Sequence, residues 1–303
     1  MIKKVNLDAS LVNYIDNLGM GVESRGAIGG TVYYVEGNSG RDSWDGLTID
    51  TAFKTLAKAI SVSNTNMGQR SRWARRNTIY LAADVTTEDL VAFPNKCDVV
   101  GIGSYDANTK PGITGHHVPV NAENYGTRFI NVWFKGKAVA APIVTLASTT
   151  SGAQFIGCTF SAAVTGTCST IGIQATASPF LKVIGCRFEG PFSTSDITFG
   201  TGEAGGTEIV DNIMQDAAAG GIIIGSGATA SWRGLVKDNF VQAVGKVIDT
   251  QATSVFNVIG NRFVSAAAVG ASSYVIDLTY ACNNWLTGND VMVPIPTYVN
   301  ADS

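Results

Sequence analysis

The sequence predicts an all-β chain wound as a right-handed parallel β-helix of about seven to eight coils, each of roughly 27 residues. Three observations predict it. A six-residue apolar pattern recurs at near-constant spacing from the middle of the chain onward. A second apolar column keeps step with the first. One amphipathic helix stands ahead of the repeat, where the open end of a solenoid needs a cap.

In chain order, residues 1–30 read as a separate arm. Asp8 or Ser10 can cap a short helix carrying Leu11, Val12, Tyr14, Ile15 and Leu18, and the Gly-rich stretch GMGVESRGAIGG reads as a link. Such an arm either contacts a partner or folds back over the solenoid end. Residues 31–76 form the capping unit: TVYYV as a strand, GNSGRDSWDG as a turn-rich loop, and TAFKTLAKAIS as a helix with Phe53, Leu56, Ala57 and Ile60 on one face. The parallel β-helix is expected over 77–291 and a tail over 292–303.

The repeat reads FINVWF at 129–134, FIGCTF at 155–160, VIGCRF at 183–188, IVDNIM at 209–214, VKDNFV at 236–241, VIGNRF at 258–263 and LTGNDV at 286–291. Its fourth residues are Val132, Cys158, Cys186, Asn212, Asn239, Asn261 and Asn289, at intervals of 26, 28, 26, 27, 22 and 28. VVGIGS at 99–104 reads as an earlier copy, with Ile102 in the column after an interval of 30. The second column aligns Thr145, Ile173, Phe199, Ile224, Asp249 and Asp277. Each segment is short with alternating apolar positions, the pattern of a strand. A single repeat cannot bury its apolar face, whereas stacked coils bury it and pair every strand. Like residues then pile into ladders, with the asparagine amides hydrogen-bonding along the stack and Cys158 and Cys186 as small apolar fillers. Gly157, Gly185, Gly260 and Gly288 precede the ladder residue, as a bend with unusual backbone angles requires. A β-sandwich or jelly roll is the alternative fold, but its strands recur at about 8–12 residues without a long constant repeat.

The stretch YYVEGNSGRDSWDGLTIDTAFKTLAKAI, followed by NTIYLAADV at 77–85, resembles the opening of many pectate-lyase-like β-helix proteins. Ala52 stands where that group usually has Pro, while Phe53, Lys54, Thr55 and Leu56 keep the rest of its pattern. The resemblance covers 31–103 by motif and 127–291 by repeat style. It implies the fold, and a group that includes polysaccharide lyases, glycoside hydrolases, phage tailspikes and virion β-helix proteins. It specifies activity poorly.

Composition narrows the function. Only 15% of the residues are charged, against a usual share of about 25%, and glycine is abundant at 34 residues. A surface so poor in charge suits packing against other subunits. The net charge of −3 gives no sign of a nucleic-acid protein. The basic cluster Arg70, Arg72, Arg75 and Arg76 around Trp73 reads as a solvated loop. Five cysteines, an odd number without CxxC spacing, argue against zinc and a disulfide framework and for a reduced assembly compartment. No segment has the length or apolarity of a signal peptide or membrane span.

Candidate chemistry is sparse. Hydrolytic glycan cleavage needs paired carboxylates about 5–5.5 Å or 6.5–9.5 Å apart. The alignment offers Asp249 with Asp277, one coil apart and pointing outward, and as second choice Asp211 with Asp238 beside the asparagine ladder. The simpler reading of both pairs is solvated aspartates near strand ends. Glu189, Asp196, Glu203, Glu208 and Asp216 read as exposed, in or near turns. Trp133, Trp232 and Trp285 are candidates for stacking on sugar rings, or else for packing. His116 and His117, adjacent in TGHHVP, have no further ligands at metal spacing, and the Asp42–Asp45 loop lacks a calcium-loop register. No metal and no cofactor is expected. The combined reading is a bacteriophage virion component, either a capsid decoration protein or a non-enzymatic fibre or spike. It would be assembled in the host cytoplasm, homotrimeric, and attached to other virion proteins through residues 1–30, with host glycan as a further contact and neither nucleic acid nor membrane as a partner. A polysaccharide depolymerase is the alternative.

Overall fold

The computed structural model describes residues 30–294 and 298–299, apart from 68–75, 83–84, 104–110, 121–123, 148–149, 164–168, 218–219, 225–227, 230–233, 244–245, 251–255, 266–279, 283–284 and 289–290. The chain is a parallel β-helix. Three sheets run along its length, and successive strands of each come from successive coils. The first sheet starts at Val32–Val35 and passes through Asn77–Leu81, Cys97–Gly101, Arg128–Ile130, Gln154–Ile156, Lys182–Ile184, Glu208–Val210, Gly234–Lys237 and Phe256–Ile259 to Tyr280–Cys282. Tyr298–Val299 then closes that edge antiparallel. Ten of the eleven strands are therefore parallel, more coils than the sequence count, because the coils at the N-terminal end carry no copy of the six-residue pattern. The second sheet holds Trp133–Lys135, Thr159–Ser161, Arg187–Glu189 and their equivalents, and the third runs from Val144–Leu146 to Lys246–Thr250. The connections are parallel crossovers, a type that is right-handed in nearly all proteins.

Inward positions of the first two sheets form two apolar ladders. Phe129 stacks on Phe155 with ring centres 5.5 Å apart, and Phe134, Phe160 and Phe188 stack at 5.1 and 4.8 Å. The two ladders meet edge-on, Phe129 against Phe134 and Phe155 against Phe160. All five rings are fully buried. Each such pair adds about 0.5–1.5 kcal/mol beyond the area it buries.

Between the two sheets the chain turns through one repeated backbone device. Asn131, Gly157, Gly185, Asp211, Asp238 and Gly260 all have φ between 54° and 69°. The next residue points inward and is buried: Val132, Cys158, Cys186, Asn212, Asn239 and Asn261. The Nδ2 of Asn212 donates to Val183 O at 2.9 Å and to Asn239 Oδ1 at 2.8 Å, and that oxygen also accepts the Asn212 N–H at 2.9 Å. Asn239 repeats the pattern on Ile209 O and Asn261 Oδ1, and Asn212 Oδ1 accepts the Cys186 N–H. The cysteines are more than fillers. Cys158 Sγ and Cys186 Sγ each lie 3.3 Å from the carbonyls of Phe129 and Phe155, the position the asparagine amides hold on the later coils. Burial pushes the Cys186 thiol well above its usual range.

Several alignments need correction. The register pairs Ile173 with Val144 and Ile197, then Ile197 with Ile222 and Ile222 with Ile248, so the inward column of the third sheet is Val144, Ile173, Ile197, Ile222 and Ile248. The column drawn through Thr145, Phe199 and Ile224 mixes neighbouring positions. Asn289 lies outside the described residues. The strand Trp285–Gly288 pairs with Arg262–Ser265 in the second sheet, and Tyr280–Cys282 pairs with Phe256–Ile259 in the first. The next copy of the pattern is therefore ACNNWL at 281–286, five residues earlier than LTGNDV at 286–291. Ile102 does follow its strand in register with the column, but it is exposed.

The capping helix, α1, is Leu56–Met67. It buries Leu56, Ala59, Ile60, Ser63 and Met67, so Ala59 replaces Ala57 on the inward face, and Phe53 precedes the helix in a bridge to Val35. Two carboxylates cover its open N-terminus. Asp42 Oδ1 accepts the N–H groups of Lys54 and Thr55, both at 2.9 Å, and the Glu88 oxygens accept those of Leu56 and Ala57 at 2.9 and 2.8 Å. Each cap contributes about 1 kcal/mol.

If the amide ladder holds the turn, Asn239→Leu leaves the Asn212 donors and the Ile209 carbonyl buried without partners. Urea denaturation should then show a loss of about 3 kcal/mol or more. A loss below about 1 kcal/mol would remove the ladder from the account.

Candidate functional site

The outer wall is where side chains are free to meet a partner. On the first sheet, the position that follows the inward residue forms a register-matched column: Val100, Ile130, Ile156, Ile184, Val210, Lys237 and Ile259. Its aliphatic members are all partly exposed. The position before the inward residue carries polar and charged groups. Asp98 is held by Arg76 and Arg128, and Lys182 pairs with Glu208 at 2.8 Å. Where the aliphatic column meets the turn lies a shallow groove of about 540 Å³, lined by Ile130, Ile156, Gly157, Gly185, Arg187 and Asp211 among others.

Asp211 and Asp238 both lie in the left-handed turn column, at φ of 56° and 54°, and both are exposed. The other members of that column are Asn131 and glycines. Apart from Gly, Asn and Asp are the residues that most readily adopt this conformation. Conformation therefore accounts for these two aspartates. Asp238 also pairs with Lys237 at 3.3 Å. Asp249 lies in the strand Lys246–Thr250, in register with Ile223, while Asp277 lies outside the described residues. Trp232 is likewise outside them, and Trp285 is placed only as a residue of the strand Trp285–Gly288.

Three other acids are held by specific partners. Asp45 Oδ1 accepts from Leu47 N–H and Thr51 Oγ1, which confirms the 41–46 segment as a structured turn. Glu189 and Glu208 are strand residues, paired with Arg187 and Lys182. Asp196, expected at the surface, is fully buried in Ser195–Phe199. Among the described residues, no group of three or more His, Cys, Asp or Glu is placed to hold a metal ion.

His116 and His117 are built into the wall. His116 Nδ1 contacts Pro142 O at 2.7 Å. His117 is completely buried against the edge of Phe134, and its Nδ1 accepts the Leu90 N–H at 3.2 Å. Burial drives its pKa from 6.5 to about 3. Beside them, burial raises the Asp89 carboxyl, but the Lys137 ammonium and the His116 N–H outweigh it and leave Asp89 below its usual range.

The outward residue that sequence reading did not resolve in context is Trp133. Its Nε1 donates to Ser161 Oγ at 2.8 Å, Ser161 Oγ donates to Glu189 Oε2 at 3.3 Å, and Glu189 Oε1 lies 3.4 Å from Arg187 Nε. Lys135 Nζ sits 5.3 Å from the centre of the indole. These residues lie far apart in sequence and meet only through the coil stacking.

No protein-family profile and no curated protein matches the chain. Two solved structures are similar in backbone. One is described as pectate lyase Pel9A; it is 12% identical with a TM-score of 0.45, over 85% of this chain and 76% of that one. The other is described as ORF18 of Geobacillus virus E2; it is 13% identical with a TM-score of 0.39, over 94% of this chain and 65% of that one. At these scores neither carries an activity to this chain, and the functional reading rests on its own residues.

Two outcomes follow. Asp211→Gly and Asp238→Gly should fold with unchanged stability, whereas Asp238→Val should cost about 1–2 kcal/mol, because a β-branched residue resists positive φ; equal urea midpoints for the glycine and valine variants would refute the conformational account. For His117, the fold keeps the ring neutral while the unfolded chain takes up a proton below pH 6.5, so its contribution is complete above that pH and fades as pH falls toward 3. Stability should drop by roughly 2 kcal/mol more between pH 7 and pH 5 in the wild type than in His117→Asn. Parallel pH profiles for the two proteins would contradict this.

Proposed function

We propose that this chain is a structural or adhesive component of a bacteriophage particle, working as an oligomer and without catalysis. The observation that carries the reading is the outward aliphatic column on the first sheet, from Val100 through Val210, on a chain only 15% charged. A continuous apolar stripe on an outer wall costs hydration until something covers it. A second copy of the chain, in a closed ring such as a trimer, or the surface of the particle would cover it. Two further features support the reading. The flagged aspartates Asp42, Asp45, Asp211 and Asp238 have structural duties, as helix cap, turn brace and left-handed turn residues. The opening motif resembles that of a group that includes virion β-helix proteins.

A depolymerase is the second reading, and the groove that brings Arg187 and Asp211 together favours it. Two measurements separate the readings. Light scattering coupled to gel filtration should give an oligomer, which Ile156→Asp dissociates, and negative-stain images of particles mixed with the protein should show it attached. A wild-type monomer that ignores the particles would end the structural reading. New reducing ends on incubation with host capsule or O-antigen, lost in Asp249→Asn or Asp211→Asn, would establish the enzymatic one.

A further inference from the structure

We propose that the first-sheet face is a contact between copies of this chain, in which Phe180 of one copy enters a notch over Gly157 and Gly185 of the next. The proposal deepens the oligomeric form of the function above and rests on it.

Two columns of left-handed residues border the first sheet. One follows each strand and contains Asn131, Gly157, Gly185 and Asp211. The other precedes each strand by two residues and consists of Lys96, Gly126, Gly152, Phe180 and Gly206, with φ between 49° and 69°. Its members are tied from coil to coil. The N–H of Lys96 donates to Tyr125 O, that of Gly126 to Ser151 O, that of Gly152 to Pro179 O and that of Phe180 to Gly205 O, at 2.8–3.2 Å. Phe180 is the aromatic member. Beside glycine, this conformation suits Asn and Asp, and a bulky ring there is strained. The ring is also 46% exposed, and it leans over the next coil, where a Cβ at Gly206 would lie 2.5 Å from its Cδ1. A glycine at 180 would relieve the strain and remove the exposed apolar surface. Nothing inside the coil calls for the ring, which stands as a knob on one edge of the face.

The notch lies at the other edge, five residues along the same coil. Asn131 and Asp211 carry side chains there, whereas Gly157 and Gly185 between them carry none, and a Cβ at either glycine would meet nothing within 4 Å. From Asn131 to Asp211 is three strand spacings, about 14 Å. Ile130, Ile156 and Ile213 give the gap an apolar lining, and its volume of about 540 Å³ admits a phenylalanine ring.

Position selects the occupant. Phe180 leads into the strand Lys182–Ile184 and Gly185 leaves it, so knob and notch stand at one height on the solenoid. They sit on the two edges of one face, roughly 15 Å apart. A rotation axis parallel to the solenoid brings the knob edge of one copy against the notch edge of the next with no shift along the axis. That is the condition for a closed assembly instead of a filament. Tyr125, 51% exposed, stands on the knob edge two coils earlier, on the coil of Asn131, and extends the contact.

The test is sedimentation velocity on the full chain over a concentration series. Phe180→Gly should raise the dissociation constant on the order of tenfold or more, as loss of a central aromatic anchor does. Gly157→Asn combined with Gly185→Asn fills the notch with the residue that the column already carries at Asn131, and should weaken association as much. Glycine and asparagine both suit the left-handed conformation, so circular dichroism spectra should be unchanged. Each variant retains one half of the contact, so mixing the two should yield a one-to-one heterodimer that neither forms alone. Association of wild-type strength in either variant would overturn the knob and notch while leaving the oligomeric reading standing, and so would dissociation of both without recovery on mixing. A wild-type monomer would overturn this contact, yet its attachment to particles in negative-stain images would leave the adhesive reading standing. Recovery on mixing with no attachment to particles would do the reverse.

Discussion

The fold depends on one turn, made in the same way on coil after coil. The chain leaves the first sheet, passes through a left-handed residue, and buries the next side chain. On the coils after Val132, that buried group satisfies a carbonyl of the coil below. Asn212, Asn239 and Asn261 do so with an amide, which in Asn212 and Asn239 also reaches the coil above, and Cys158 and Cys186 do so with a thiol. A buried carbonyl left unpaired costs about 1–3 kcal/mol, so each coil that failed here would weaken its neighbours too. The requirement fixes two adjacent positions per coil, one conformational and one chemical.

A second regularity follows from the first. From Phe129 onward the inward residue of the first sheet and that of the second are five positions apart, as in Phe129 and Phe134, Phe155 and Phe160, or Val258 and Phe263, whereas on the coil before them Val99 and Ile113 are separated by a longer loop. That rigid span lets like residues stack along the core and lets the two aromatic ladders meet edge-on. The remainder of each coil is under no such constraint, and it absorbs all the variation in coil length. In the third sheet the inward column steps by 29, 24, 25 and 26 residues.

This difference explains what the sequence discloses. The first column is legible because turn and flanking strands keep one length and carry a recognisable signature, Gly or Asp followed by Cys or Asn. The third-sheet column is misaligned by one or two residues, because no turn marker ties Ile173 to Ile197 and neighbouring apolar residues fit equally well. Asn289 misleads for a related reason: Gly288 and Asn289 imitate the signature at the end of a second-sheet strand. Asp211 and Asp238 look like a carboxylate pair only while the alignment omits the conformational identity of their column, which Asn131 and the glycines disclose. The cluster around Trp133 is the least legible part. Ser161 and Glu189 have nothing in common with Trp133 until the coils are stacked in register.

Core and turn together consume most of the chemical freedom of the chain. Inward positions are apolar, the turn positions are Gly, Asn or Asp followed by Val, Cys or Asn, and acids near the cap are held by backbone N–H groups. Function is therefore left to the outward positions, and there the molecule divides its labour by sheet. The first sheet offers an aliphatic column flanked by ion pairs such as Lys182 with Glu208, a surface suited to a flat, extended protein partner. The second carries an indole tied to Ser161 and Glu189 and covered by the Lys135 ammonium. The two faces adjoin across the turn column. A solenoid seated on a partner by the first sheet would thus present the second beside the contact.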